Sequence, residues 1–221
     1  MNQMRTKNSR RYVFAYYEGE GSEKAYLDFI RTRFRDVVIV AKKKGFFPET
    51  DNDLDKVGSE LNKKWDNLDE IWFFFDIDPG TLMDGTQSSW KKFQSVINKI
   101  HSRSSKIKIR ILMTTGCIEY WFLLHFEQTQ PVMDGLPFKE RMLNQLRKYV
   151  PQYTKSGAEV IQKFADSKME DAIINGQRVM RSVERNIKLT KTNRDRQLYI
   201  SGATFSNVYE TLEVLKTLQT R

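Results

Sequence analysis

Three carboxylates stand where a folded chain can aim them at one point. Glu18 follows the β-branched and aromatic run YVFAYY at 12–17, and Asp76 and Asp78 follow the apolar run EIWFFF at 70–75. Two carboxylates spaced D-x-D at a strand end can share one hard cation or hold two. A third nearby completes a site that keeps positions open for water and phosphate. That constellation suits phosphodiester chemistry. Taken singly the motifs are weak, because Glu18 alone reads as a turn residue and an isolated D-x-D as a polar loop or helix start. Their joint placement at equivalent strand ends is what favours a site.

The other side chains narrow the metal. There is one cysteine, Cys117, and there are two histidines, His101 and His125. No intrachain disulfide, cysteine cluster or ordinary zinc set can be assembled from them. A cation held by carboxylates is a hard one: magnesium, with manganese or calcium as alternatives.

For the carboxylates to converge, their strands must end on one edge. The run 12–17 passes into Glu18-Gly19-Glu20-Gly21, a sharp turn, and Ser22 then reads as the cap of a helix over 23–34 with Ala25, Tyr26, Phe29, Ile30 and Phe34 at helical spacing. Residues 37–41 (VVIVA) predict a second strand, and 53–65 an amphipathic helix through Leu54, Val57, Leu61 and Trp65. The run 70–75 lacks alternation, as a strand buried on both faces does. After a glycine-rich loop, 90–101 predicts a helix and 107–113 (IKIRILM) a strand. This rhythm is that of a parallel sheet covered by helices, with ligands gathered at the carboxyl ends of the strands. From 118 onward the pattern is helical, through YWFLLHF, FKERMLNQLRKYV, a long stretch over 157–189, and 207–218, and no strand is required. The expected organisation is an α/β core over 1–128 and a helical extension over 129–221, packed on the core as one compact unit.

Composition agrees with a soluble folded protein: 39% of residues are hydrophobic and 29% charged. No apolar run approaches the roughly 20 residues that span a bilayer, and the basic amino terminus runs straight into a strand without a signal-type apolar region. A cytoplasmic location is expected, with no membrane association. The formal charge is +9, from 37 basic against 28 acidic residues, which favours a polyanionic partner such as nucleic acid. Through Gln128 there are 21 basic and 18 acidic residues, and beyond it 16 and 10, so the excess concentrates in the second part.

A strand ending in E-G, then an apolar strand ending in D-x-D, resembles the Toprim domains of topoisomerases, primases and OLD-type nucleases. More specifically, YYEGEGSEKAYLDF at 16–29, DEIWFFFDIDPG at 69–80 and TTGCIEYWFLLHFE at 114–127 resemble the RloB family of bacterial defence-associated proteins. A weaker likeness continues through Tyr153-Thr154-Lys155 and ATFSNVYETLEVL. The resemblance implies a Toprim-like parallel sheet flanked by helices, and a magnesium-dependent nuclease of antiphage defence, commonly encoded beside an ATPase partner. It makes Glu18 a metal ligand or acid/base group, Asp76 and Asp78 metal ligands, and Glu119 a further site residue. Glu23 matches the second glutamate of E-G-x-x-[ST]-E, where it would orient the first or simply favour the helix start. Lys155 matches a family lysine, and its ammonium would neutralise charge on a scissile phosphate. Where the family usually has asparagine-proline before the cysteine, this chain has Thr115-Gly116. DNA or RNA, including tRNA, as substrate and the oligomeric state are left open.

Other residues read more plainly. His125, among Leu123, Leu124 and Phe126, is expected to be packed rather than catalytic, and Cys117 to pack at a strand-to-helix transition. Arg178, Arg181, Arg185 and Lys188 fall on one helical face opposite Val179, Val183 and Ile187, as a phosphate-binding ridge or a solvated face. Lys191, Arg194 and Arg196 prolong the positive stretch. Two alternatives compete with the nuclease reading. A haloacid-dehalogenase-type phosphatase is suggested by DIDPGT, but Gly80 stands where that pattern needs threonine or valine. A non-catalytic nucleic-acid-binding or partner-regulating subunit would share the positive charge and the aromatic residues.

Overall fold

The computed structural model describes residues 11–17, 19, 21–43, 68–77, 86–133, 137–190 and 193–219. The helix expected over 53–65 lies outside them, as do Glu18, Asp78 and Lys191. Four strands, β1 (Arg11–Tyr17), β2 (Val37–Lys43), β3 (Glu70–Ile77) and β4 (Lys108–Thr115), form one all-parallel sheet in the order β2-β1-β3-β4. Helix α1 (Ser22–Arg33) links β1 to β2, and α2 (Thr86–Arg103) precedes β4. The rest is helical: α3 (Ile118–Leu123), α4 (Pro137–Tyr149), α5 (Ala158–Ser167), α6 (Met169–Ile187), α7 (Arg194–Ile200) and α8 (Tyr209–Gln219). The chain is thus an α/β protein with a helical carboxyl-terminal part.

The apolar runs explain the sheet. Every residue of β3 except Asp76 is buried, which requires cover on both faces. Phe73 meets Phe93 of α2 edge-on at 5.6 Å, and Phe75 meets Tyr199 of α7 at 5.6 Å. On α1, Tyr26 packs on Trp121 and Phe122 of α3, and α1 also lies along α5. Right-handed crossovers that move outward in opposite directions, β1 to β2 and β3 to β4, place α1 and α2 on opposite faces.

Among the described residues, the one charged residue sunk into the sheet's amino-terminal end is Glu70, which is 2% exposed. Its carboxylate accepts Arg110 Nε at 2.6 Å and Nη2 at 3.2 Å, Trp72 Nε1 at 2.8 Å and Arg11 Nη1 at 3.3 Å. Desolvation alone would raise its pKa, but the Arg110 and Trp72 hydrogen bonds outweigh it and hold the group below its ordinary value.

The carboxyl-terminal part differs from expectation in three places. The stretch 157–189 is two helices, α5 and α6, parted at Lys168. Residues 194–200 form a helix that was not expected, burying Leu198 and Tyr199. No strand follows β4 among the described residues, yet the segment before α8 covers the outer edge of β4. Thr115 N–H donates to Phe205 O at 3.0 Å, Thr114 and Ser206 make an antiparallel bridge, and Asn207 brackets the strand. The amide of Asn207 accepts Met113 N–H at 2.6 Å and donates to Ile111 O at 2.8 Å, acting as one more peptide group on the sheet edge.

Candidate active site at the carboxyl edge of the sheet

The strand order reverses direction between β1 and β3, and the crevice at such a switch point is where open parallel sheets bind ligands. Tyr17 ends β1 and Ile77 ends β3 at this edge, so Glu18 and Asp78, outside the described residues, are the covalent neighbours of its two flanks. Asp76 is the penultimate residue of β3, half-buried and in register with Thr114. It therefore lies within the strand rather than just after it.

From the end of β4 the chain turns through Gly116 at φ 76° into α3. The N–H of Gly116 still donates to Ile77 O at 2.8 Å, so the sheet ladder runs to this residue. A proline, locked near φ −65°, could not adopt this backbone, so the turn here differs from what the asparagine-proline pattern would allow. Cys117 is buried at the strand-to-helix transition, as expected. Desolvation, the charges of Glu119 and Asp76, and a hydrogen bond from its thiol to Glu119 all push its pKa up, so it stays a thiol.

Glu119 lies in α3, a helix whose six residues are all buried. Its Oε1 accepts Tyr153 Oη at 2.8 Å and lies 3.3 Å from Ser22 Oγ. Ser22 and Tyr153 hydroxyls are 2.8 Å apart, and Lys155 O lies 3.4 Å from Ser22 Oγ. Ser22 was expected as a helix cap, but the cap position belongs to Gly21, which carries no side chain to accept the helix's first N–H groups. The serine is the first helical residue, and its hydroxyl turns inward to the site. Tyr153 was named only as part of a family segment. The signal that would have found it is its place two residues before Lys155.

Glu23 is buried one residue further along. Its pKa is raised, first by desolvation and then by the charge of Glu119, against the backbone N–H groups of Glu23 and Gly19 and the charge of Lys155. Lys155 itself is exposed, with its ammonium within electrostatic reach of Glu23. The structure thus gathers Asp76, Cys117, Glu119, Glu23 and Lys155 around the switch point. Oxygen donors predominate, and that donor set suits a hard cation. No three His, Cys, Asp or Glu side chains converge on a metal position among the described residues, a set that contains Asp76 without Glu18 and Asp78.

The remaining candidates lie apart from this cluster. His125 is fully buried, with Nδ1 on Trp121 O at 3.1 Å and the rings of Tyr26, Trp121, Phe122 and Phe164 edge-on around it. It is a packed residue, as expected. Arg178, Arg181, Arg185 and Lys188 are all exposed on α6 and at its end, while Val179 and Val183 are buried on the opposite face. Arg194 does not extend that ridge. It pairs with Glu210 at 2.5 Å and approaches Glu184 and Asp195 at 3.7 Å. Arg196 is exposed. No helix among the described residues is long and apolar enough to cross a membrane.

Comparison with curated proteins returns no match. A family model described as RloB-like protein matches residues 13–215, from the second residue after the start of β1 into α8, and the chain belongs to that family.

Proposed function

We propose that the chain is a magnesium-dependent nuclease that cuts phosphodiester bonds in nucleic acid, DNA or RNA and tRNA among them, in bacterial antiphage defence. The observation that carries this reading is the place of Asp76 at the carboxyl end of β3, beside the switch point of a parallel sheet, with Glu18 and Asp78 next in sequence to the ends of β1 and β3. Asp76 and Asp78 would hold the cation, with Glu18 as a third ligand or general base. Magnesium, or manganese in its place, supplies Lewis-acid polarisation of the phosphate when bound. Lys155 would neutralise a non-bridging phosphate oxygen, and the α6 ridge would bind phosphates flanking the cut. The RloB resemblance adds an ATPase partner, and the cytoplasm is the compartment where such a substrate is met.

The test is calorimetric titration of Mn2+ and Mg2+ into wild type and an Asp76→Asn, Asp78→Asn double variant, followed by cleavage assays on duplex DNA and tRNA. Binding lost in the variant, together with loss of cleavage at undiminished nucleic-acid affinity, is the expected result. A wild type that binds neither ion, even with nucleic acid present, would leave the non-catalytic reading in its place.

A further inference from the structure

Ser22, Glu119 and Tyr153 come from three separate parts of the chain, 97 and 131 residues from Ser22, and meet in a single buried contact. They are 3%, 3% and 1% exposed, too deeply buried to touch a nucleic acid. The two short contacts fix the order of protons. Tyr153 Oη donates to Glu119 at 2.8 Å, so its 2.8 Å contact with Ser22 must be accepted by the phenol oxygen and donated by the serine. The chain runs Ser22 to Tyr153 to Glu119. One end of this chain is the first residue of α1, four positions after Glu18 in sequence. The other is two residues from Lys155, whose carbonyl oxygen lies 3.4 Å from the same serine oxygen.

We propose that Ser22, Tyr153 and Glu119 form a buried hydrogen-bond relay that locks the β1–α1 turn to the 153–155 loop, and that they serve the metal centre as positioning residues. Glu119 then acts through Tyr153 and Ser22 rather than on metal or substrate. The inference rests on the metal-centre reading above. Groups of this kind, which orient the residues that hold a cation, typically change metal affinity by about 10–100-fold when removed.

The experiment is Mn2+ titration by calorimetry into wild type, Asp76→Asn, Tyr153→Phe, Ser22→Ala, Glu119→Ala and Glu119→Gln, with amide hydrogen exchange followed over 19–24 and 153–158. Tyr153→Phe removes one oxygen and no ring volume, so a fold-wide loss is not built into it. Its Mn2+ affinity should fall about tenfold, with faster exchange in both segments and an unchanged rate in the β3–β4 core. Glu119→Gln retains an acceptor for Tyr153 and should restore most of what Glu119→Ala loses. Wild-type affinity in Tyr153→Phe, or a loss in Glu119→Gln as complete as in Asp76→Asn, would overturn the relay while leaving the metal centre standing. No Mn2+ binding in wild type would overturn both.

Discussion

The carbonyl oxygen of Lys155 lies 2.0 Å from where a Cβ on Gly21 would stand, with the carbonyl carbon at 2.8 Å. The φ of Gly21 is −115°, a value open to any residue, so the glycine is required by space and not by backbone conformation. What it meets is main chain, which cannot swing aside as a side chain would. Gly21→Ala should therefore force the turn and the 153–155 loop apart, at about 1–3 kcal/mol of overpacking. Urea denaturation reads the stability, and Mn2+ titration the site. A variant with wild-type values in both would show that the two segments are not held in register.

Much of the sheet was legible because its strands are extreme. A run such as EIWFFF has only one comfortable home, between two layers of helices, and the D-x-D at its end then falls on the carboxyl edge. Ser22 was not legible, because its hydroxyl has two uses, a local cap or a distant partner, and its partners lie 97 and 131 residues away. Local pattern carries no information about that choice. The break at Lys168 has neither glycine nor proline to announce it. Helix α7 escaped notice because RDRQLYI is short and charged; of its three apolar residues only Leu198 and Tyr199 are buried, and Tyr199 finds Trp90 and Phe75 only in three dimensions, 5.5 Å and 5.6 Å from those rings.

His125 gives the protein a readable acid response. Burial pushes its imidazole down to about 4, against backbone hydrogen bonds to Trp121 and Phe122 and the charge of Asp171, which act upward. The folded state thus takes up its proton later than the unfolded chain, whose histidine titrates near 6.5. The stability associated with the neutral ring is complete above about 6.5 and falls as pH descends toward 4, by roughly 3 kcal/mol over the whole interval. Glu23, with its raised carboxyl, works in the opposite direction, so the informative quantity is the difference between wild type and His125→Phe. The midpoint of wild type should fall relative to that of His125→Phe as pH is lowered from 7 to 4. Parallel curves would mean that the buried ring does not titrate in this way.

Asn207 ties the carboxyl-terminal part to the sheet. Its side chain satisfies Met113 N–H and Ile111 O on an edge strand, and it is 1% exposed, so water does not replace it freely. Asn207→Ala leaves two buried backbone groups unpaired, each costing about 1–3 kcal/mol. Asn207→Asp keeps an acceptor for Met113 N–H but sets a buried carboxylate against Ile111 O, and should destabilise at least as much as Asn207→Ala at neutral pH. For the same reason a chain cut after Gln128, which lacks the cover over β4, should fail to unfold cooperatively. Calorimetric melting of the variants and the fragment checks this, and a sharp transition in the fragment would establish the first part as an independent domain.

The ridge on α6 makes a prediction that is separate from the metal centre. Arg178, Arg181, Arg185 and Lys188 are exposed at positions i, i+3, i+7 and i+10, so their heads line one side of the helix; Arg185 Nε bonds Arg181 O at 3.1 Å within it. A row of fixed cations that meets a duplex releases one condensed counterion or nearly so for each phosphate neutralised, and each contributes about 0.9 to the slope of log K against log salt. Replacing all four by glutamine should reduce that slope by about 3 to 4 if every head reaches a phosphate, and by less in proportion to the number that do. Mn2+ affinity should not change, since none of the four belongs to the carboxylate cluster. Fluorescence anisotropy with labelled duplex and tRNA across a salt series measures the slope. A slope equal to wild type on both ligands would reduce the ridge to a solvated helix face and require the phosphate contacts to be sought nearer Lys155.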